Sequence, residues 1–556
     1  MYFGRLAPNS GVLLSAHPED NAQRRACCAL RFYNVIQGRG TQEFFGGIPF
    51  AEAPVGTLRF APPVPKSSLD VSTFNASAYS LLCPQSTPFG GPPSIMDEDC
   101  LTINVLRPSG VREGSNVPVM VWIGGLGYSV YDPDKYDPMP LVLQSSDRGT
   151  PIVFVSFNYR LGPFGFPLGQ EAADKGALNL GMKDTLVAFQ WIQTNIALFG
   201  GDPEKVTLFG ESSGAMSISH FFLTREVEKF ARAAIFESGH AGSLPIFNST
   251  RHEDVWQTFV AATPECAGAS PHDTFDCLRQ ANLTTLLNSY TAAQFTGTNE
   301  LTFAPVLDGP NGLIPELPSK FLAVGNFSRL PFIAGTNLDE GAFSAPKNAS
   351  TDDDVRNWAY GLLSPVDVGL PQPPDLALTM DALFALYPND PALGSPYNTG
   401  NDTFGQGLEF KRAASMAGDW WFQALRRTWS HTASRAGVKT FGYYFTDPQA
   451  PNEDPYSVQA GVNHEAEVTY VFGGPAFAGT PVPANKLSLA MMDYWISFAT
   501  SLDPNDGRGS DRPHWPQYTP ENEVLIQLNG GNTTIVPDDY RHIPIAFIAV
   551  LWKIII

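Results

Sequence analysis

The stretch Lys205-Val206-Thr207-Leu208-Phe209-Gly210-Glu211-Ser212-Ser213-Gly214-Ala215-Met216-Ser217-Ile218 decides how this chain folds. Its first five residues form a short run bounded by turn residues, which reads as a buried strand. From Ala215 to Leu223 the composition reads as a packed helix. Between them stands Gly-x-Ser-x-Gly, and strand, Gly-x-Ser-x-Gly, helix is the order of a nucleophile elbow. A turn that sharp needs small flanking residues, which Gly210 and Gly214 supply. It lifts the Ser212 hydroxyl clear of the sheet edge. It also aims the first helical N–H groups at the space beside that hydroxyl, where an oxyanion can be stabilised. The five-residue pattern alone is a weak signal; its flanks make Ser212 a candidate nucleophile.

Working outward, Val117-Pro118-Val119-Met120-Val121-Trp122-Ile123 and Pro151-Ile152-Val153-Phe154-Val155-Ser156-Phe157 are continuous apolar runs, as expected of strands buried on both faces. Between Leu180 and Phe199, Leu186, Phe189, Trp191, Ile192 and Ile196 recur at helical spacing. Leu330-Pro331-Phe332-Ile333-Ala334-Gly335 and Thr440-Phe441-Gly442-Tyr443-Tyr444-Phe445 read as further strands. Strands alternating with helices predict an α/β architecture around a mostly parallel sheet. Catalytic groups then belong on loops at the carboxyl ends of the strands.

The chain has 556 residues, 43% hydrophobic and 16% charged, enough apolar material for a large core and too much for a disordered chain. No period of 20–50 residues repeats. The formal net charge of −20 disfavours phosphate backbones and anionic membrane surfaces, so neither nucleic acid nor stable membrane insertion is expected.

Six cysteines, Cys27, Cys28, Cys83, Cys100, Cys266 and Cys277, include no Cys-x-x-Cys pair and no metal-site spacing. Cys83 with Cys100, and Cys266 with Cys277, each bracket a short loop, as two local disulfides do. Asn-x-Ser/Thr occurs at Asn75, Asn248, Asn282, Asn326, Asn348, Asn401 and Asn532. Together these features favour the secretory route and an extracellular protein. Residues 1–40 nevertheless form an atypical segment without a recognisable signal peptide. Residues 41–542 read as one domain, and 543–556 as an apolar tail too short to span a bilayer.

Further motifs carry a family resemblance. Phe45-Gly46-Gly47-Ile48-Pro49-Phe50-Ala51, Pro54-Val55-Gly56-Thr57-Leu58-Arg59-Phe60 and Glu98-Asp99-Cys100-Leu101-Thr102-Ile103-Asn104-Val105 precede Asn158-Tyr159-Arg160-Leu161-Gly162 and Phe199-Gly200-Gly201-Asp202-Pro203. In this order, with the elbow, they resemble the type-B carboxylesterase/lipase family, the cholinesterase-like branch of the α/β-hydrolases. The resemblance implies the α/β-hydrolase fold with helical insertions, serine-dependent ester hydrolysis, and no cofactor or metal.

It also implies the partners of Ser212. The family's acid precedes a glycine just after a strand, and Asn337-Leu338-Asp339-Glu340-Gly341 puts Glu340 there, with Asp339 as the local rival. The family's histidine stands in Gly-x-x-His ahead of Val-Phe-Gly, and Gly461-Val462-Asn463-His464 ahead of Val471-Phe472-Gly473 matches. Ser, acid, His is the hydrolase-fold order. Such chemistry needs an imidazole to take the serine proton and a carboxylate to orient the imidazole. Asp308 reads as a turn residue, and Glu211 as a buried structural carboxylate.

The family's oxyanion loop carries three glycines, whereas this chain reads Trp122-Ile123-Gly124-Gly125-Leu126-Gly127-Tyr128. Depending on register, the donors are the N–H groups of Leu126 and Gly127 or of Gly125 and Leu126, joined by Ser213, which stands where alanine is common. The loop Pro84–Asp99 has no tryptophan and little apolar content, unlike the long lids of family lipases. The resulting expectation is an esterase acting on soluble or short-to-medium-chain esters. The alternatives are a lipase or sterol esterase on long-chain lipid esters, and a non-catalytic cholinesterase-like interaction protein.

Overall fold

The structure is a computed structural model. It describes residues 32–555 except 37–38, 70, 72–73, 271–272, 295–301, 364–375, 451–460 and 478–480. Cys27, Cys28 and most of the 1–40 segment lie outside the described residues.

Eleven strands form one sheet: β1 Phe32–Ile36, β2 Arg39–Pro49, β3 Thr102–Pro108, β4 Val117–Ile123, β5 Val153–Phe157, β6 Gly201–Glu211, β7 Ala233–Glu237, β8 Phe332–Asn337, β9 Thr440–Phe445, β10 Val524–Leu528 and β11 Thr534–Pro537. Their spatial order is β1-β2-β3-β5-β4-β6-β7-β8-β9-β10-β11. From β5 to β10 every pairing is parallel, and the pairings outside that block are antiparallel. The central strands β5, β7, β8 and β9 are buried along their whole length, which is why their residues are mostly apolar. β8 starts two residues later than its apolar run, after Pro331, which has no N–H to give a ladder.

The sequence motifs turn out to be joints. Arg59 makes a two-pronged ion pair with Glu98, Nε to Oε1 at 2.6 Å and Nη2 to Oε2 at 2.5 Å. Gly47 N donates to Asn104 Oδ1 at 2.9 Å. Arg160 grips Asp184 the same way, at 2.8 and 2.7 Å, tying the end of β5 to the helix Leu180–Asn195. These fork-to-fork pairs are the strong form of a charged hydrogen bond. Disulfides join Cys83 to Cys100 and Cys266 to Cys277. All seven sequon asparagines are solvent-exposed.

The apolar tail is a helix, His542–Ile555, with Ile545, Ile548, Leu551 and Trp552 buried. Trp552 lies so close to Gly242 that a Cβ there would stand 2.3 Å from the indole. Among the described residues no helix is long and apolar enough to cross a membrane.

Asp538, just before this helix, accepts from Arg426 at 2.6 and 2.7 Å, from Arg427 Nε at 2.9 Å and from Tyr518 OH at 2.9 Å. Burial opposes the charge on Asp538, but Arg426 and Arg427 outweigh it and hold the carboxyl below its usual range. Asp538→Ala leaves two buried guanidinium groups unpaired. It is expected to lower the unfolding free energy by about 3–5 kcal/mol, read as a shift of the urea midpoint.

Candidate active site

The loops after β6, β7, β8 and β9 meet at one place. Ser212 directly follows β6 with φ +53°, a conformation that L-residues rarely adopt. The surroundings enforce it: Ser212 N donates to Glu237 O at 3.0 Å, and Met216 N donates to Ser212 O at 2.8 Å. A Cβ at Gly214 would fall 1.8 Å from Ile123 O, and one at Gly210 2.4 Å from the same atom. Both glycines are therefore demanded by the close approach of the helix Ser213–Leu223 to the end of β4.

His464 Nε2 lies 2.8 Å from Ser212 Oγ, and His464 Nδ1 lies 2.7 Å from Glu340 Oε2. The other Glu340 oxygen accepts from Ser238 Oγ at 2.6 Å and from Asn337 N at 2.7 Å. The imidazole packs against two aromatic rings, Phe343 at 4.8 Å and Phe422 at 4.5 Å between centroids, and those two rings lie 6.4 Å from each other. Phe422 belongs to a π-helical turn, Asp419–Gln423, whose Gln423 Nε2 donates to Asn337 O at 2.7 Å. π-turns reorient side chains within an otherwise regular helix, and this one aims Phe422 at His464.

The rival carboxylates are separately employed. Asp339 accepts from Ser395 Oγ at 2.9 Å, Tyr397 N at 2.8 Å and Val462 N at 2.9 Å, and its own N–H donates to Val462 O. It thereby fastens the loop carrying His464. Burial raises its pKa to about 6 against those hydrogen bonds. Asp308 accepts from Leu313 N and Ile314 N at 3.0 and 2.8 Å, closing a turn. Glu211 Oε1 comes within 3.1 Å of His464 Nε2 yet makes no hydrogen bond. Burial, reinforced by Glu465, Glu467 and Glu340, pushes its pKa well above the usual range.

The oxyanion loop departs from the expectation for Leu126. Its N–H donates to Val130 O at 2.8 Å, within a turn closed by Ser129 N to Leu126 O at 2.9 Å. Gly127 and Tyr128, both at positive φ, give that turn its left-handed corner. Leu126 is thus not an open donor in this structure. The N–H groups of Gly125, Gly127 and Ser213 hydrogen-bond to no group among the described residues.

Beside His464 lies a cavity of about 400 Å³. Leu82, with Gln85 and Ile95 of the disulfide-closed loop, forms one wall, and Tyr131, Tyr136 and Phe343 contribute aromatic surface. Among the described residues no cluster of His, Cys, Asp or Glu is arranged to hold a metal ion.

Residues 32–543 match the Carboxylesterase family, and the chain belongs to it. The chain is 32% identical over 539 residues to Secreted lipase 1 of Botryotinia fuckeliana, covering 91% of this chain and 89% of that one. It is 32% identical over 553 residues to Lipase 2 of Geotrichum candidum, covering 91% and 92%. It is 30% identical over 548 residues to the secreted triacylglycerol lipase LIP1 of Gibberella zeae, covering 93% and 88%. The crystal structure of Aspergillus niger EstA superposes with a TM-score of 0.79 at 25% identity, covering 94% of this chain and 96% of that one. The fold is that of an α/β-hydrolase, and the chain is a carboxylic-ester hydrolase of the serine type.

Sequence reading missed Ser238, Glu467, Asn337 and Phe422. Glu467, buried behind Glu340, accepts from Tyr443 OH at 2.9 Å and from Asn337 Nδ2 at 2.5 Å. Its place three residues after His464 was the available signal. Burial, with the Glu340 charge adding, raises its pKa from 4.5 to about 7. An acid that the fold keeps protonated stabilises fully below its unfolded pKa and loses that contribution as pH rises through its folded one. Glu467→Gln is therefore expected to gain stability relative to wild type as pH rises from 4.5 through 7, in paired urea melts. A stability difference that stays constant across that window removes Glu467 from the account.

Proposed function

We propose that Ser212 is the nucleophile, that His464 acts as base and then acid, and that Glu340 orients His464. The observation that carries this reading is the unbroken pair of hydrogen bonds, Ser212 Oγ to His464 Nε2 to His464 Nδ1 to Glu340, beside the cavity. His464 takes the Ser212 proton as Oγ attacks the ester carbonyl. The tetrahedral oxyanion forms near the free N–H groups of Ser213 and the Gly125–Gly127 loop. The alcohol leaves with the proton from His464, and water activated by His464 releases the acid. Asn337 N and Ser238 hold Glu340 from behind, so the carboxylate keeps its angle through both half-reactions.

The substrate reading is a soluble or short-to-medium-chain ester. Its support is the loop between Cys83 and Cys100. That loop is fixed to the body, with Gln85 Oε1 accepting from Tyr131 N at 2.7 Å and Ser86 Oγ donating to Gln294 at 2.7 Å. Gln85 and Ser86 are almost wholly buried, so this wall resembles a fixed rim more than an interfacial flap. The relatives named as lipases favour a second reading, long-chain lipid esters. The two disulfides, the exposed sequons and the relatives named as secreted support an extracellular location.

Hydrolysis of p-nitrophenyl acetate, butyrate and palmitate tests both parts. Wild type is expected to prefer the short esters and to carry a fluorophosphonate label on Ser212. Ser212→Ala is expected to lose roughly 10⁴-fold or more in kcat. Palmitate turnover that exceeds butyrate turnover and jumps above the solubility limit would replace the first substrate reading with the second.

A further inference from the structure

Two hydroxyl groups hold two successive carbonyls of the loop after β4. Tyr159 OH donates to Gly124 O at 2.8 Å, and Ser213 Oγ donates to Gly125 O at 2.7 Å. A peptide unit is planar, with its N–H opposite its C=O. The Gly125–Leu126 peptide turns its carbonyl toward Ser213, so its N–H points the other way, to Val130 O at 2.8 Å. Gly125 makes this orientation accessible: it sits at φ +146°, and a Cβ there would stand 2.5 Å from Tyr159 Oη and 2.8 Å from Ser213 Oγ.

We propose that the Ser213 hydroxyl is a latch on the oxyanion loop: it holds the Gly125–Leu126 peptide with its carbonyl on Ser213 and its N–H on Val130, and rotation of that peptide delivers the Leu126 N–H to the oxyanion. The inference rests on Ser212 as nucleophile. It goes further by giving the side chain of Ser213 a role separate from that of its backbone N–H.

The rotation is local. A change of ψ at Gly125, compensated by φ at Leu126, turns the peptide plane without moving the flanking chain. It breaks two neutral hydrogen bonds, Ser213 Oγ to Gly125 O and Leu126 N–H to Val130 O. In return the Leu126 N–H meets a full negative charge, and charge-assisted bonds are about twice as strong as neutral ones. The resting loop therefore stays closed on itself, and the tetrahedral intermediate supplies the reason to open it. An alanine at position 213 has nothing to hold the Gly125 carbonyl. The serine costs the enzyme about one neutral hydrogen bond per turnover, and it acts through the loop as a positioning residue.

The test uses the full chain and its Ser213→Ala variant. Two quantities are measured: kcat and KM on p-nitrophenyl butyrate, and the affinity of an aryl trifluoromethyl ketone, whose adduct with a serine carries an oxyanion. Ser213→Ala is expected to raise kcat roughly threefold to tenfold, the size of one neutral hydrogen bond, with little change in KM. The ketone is expected to bind tighter by the same factor. Ser213→Thr keeps the hydroxyl and is expected to show neither the rise in kcat nor the tighter ketone binding of Ser213→Ala. If Ser213→Ala does not fold, Ser213→Cys, a weaker donor of similar size, is read the same way. A folded variant whose kcat and ketone affinity are unchanged or lower overturns the latch while leaving the nucleophile in place. Wild type that neither turns over nor binds the ketone, or a Ser212→Ala variant as active as wild type, overturns the nucleophile reading and the latch with it.

Discussion

The carbonyl oxygen of Ile123 is a point of very close backbone approach. A Cβ on Gly214 would lie 1.8 Å from it and one on Gly210 2.4 Å, so β4, β6 and the helix Ser213–Leu223 meet there backbone to backbone. That contact leaves Ser212 a single way to connect strand to helix, through positive φ. The oxyanion loop begins at the next residue after Ile123. One steric constraint therefore sets both the height of the serine hydroxyl and the start of the loop that faces it.

The other half of the site is assembled by polar contacts. His464 rides on a loop that Asp339 fastens with both carboxylate oxygens and its own N–H. Glu340, the next residue, is oriented from behind by Ser238 and Asn337. Adjacent carboxylates thus divide the work, one holding the loop and the other the ring. Behind them, Glu467 and Glu237 are buried acids whose charge is disfavoured, first by burial and then by neighbouring acid. Both shifts work against a build-up of negative charge around Glu340.

The central strands were legible because burial on both faces leaves continuous apolar runs such as Val117–Ile123 and Thr440–Phe445. The edge strands were not: Thr534–Pro537 is buried only in part, and Arg39–Pro49 mixes polar and glycine residues. Ser212, Glu340 and His464 were legible because each is a reactive side chain in a spaced motif. The orientation of the Gly125–Leu126 peptide was not, since a backbone rotation leaves no trace in residue identity. Nor was Phe422, because a single π-turn shifts register without changing composition. The tail read only as apolar; its burial against Gly242 depends on residues some three hundred positions away.

The rings of Phe343 and Phe422 have a consequence for charge as well as for packing. In the proposed cycle His464 becomes an imidazolium twice per turnover, with its ring almost wholly buried. An aromatic face carries partial negative charge, so a cation stacked over such a face is attracted to it. Phe343 lies nearly parallel to the imidazole, at 17°, and Phe422 at 35°. The stacked Phe343 ring thus does for the transient cation part of what bulk water does for a histidine on the surface, and it does so without offering the acyl-enzyme a stray nucleophile.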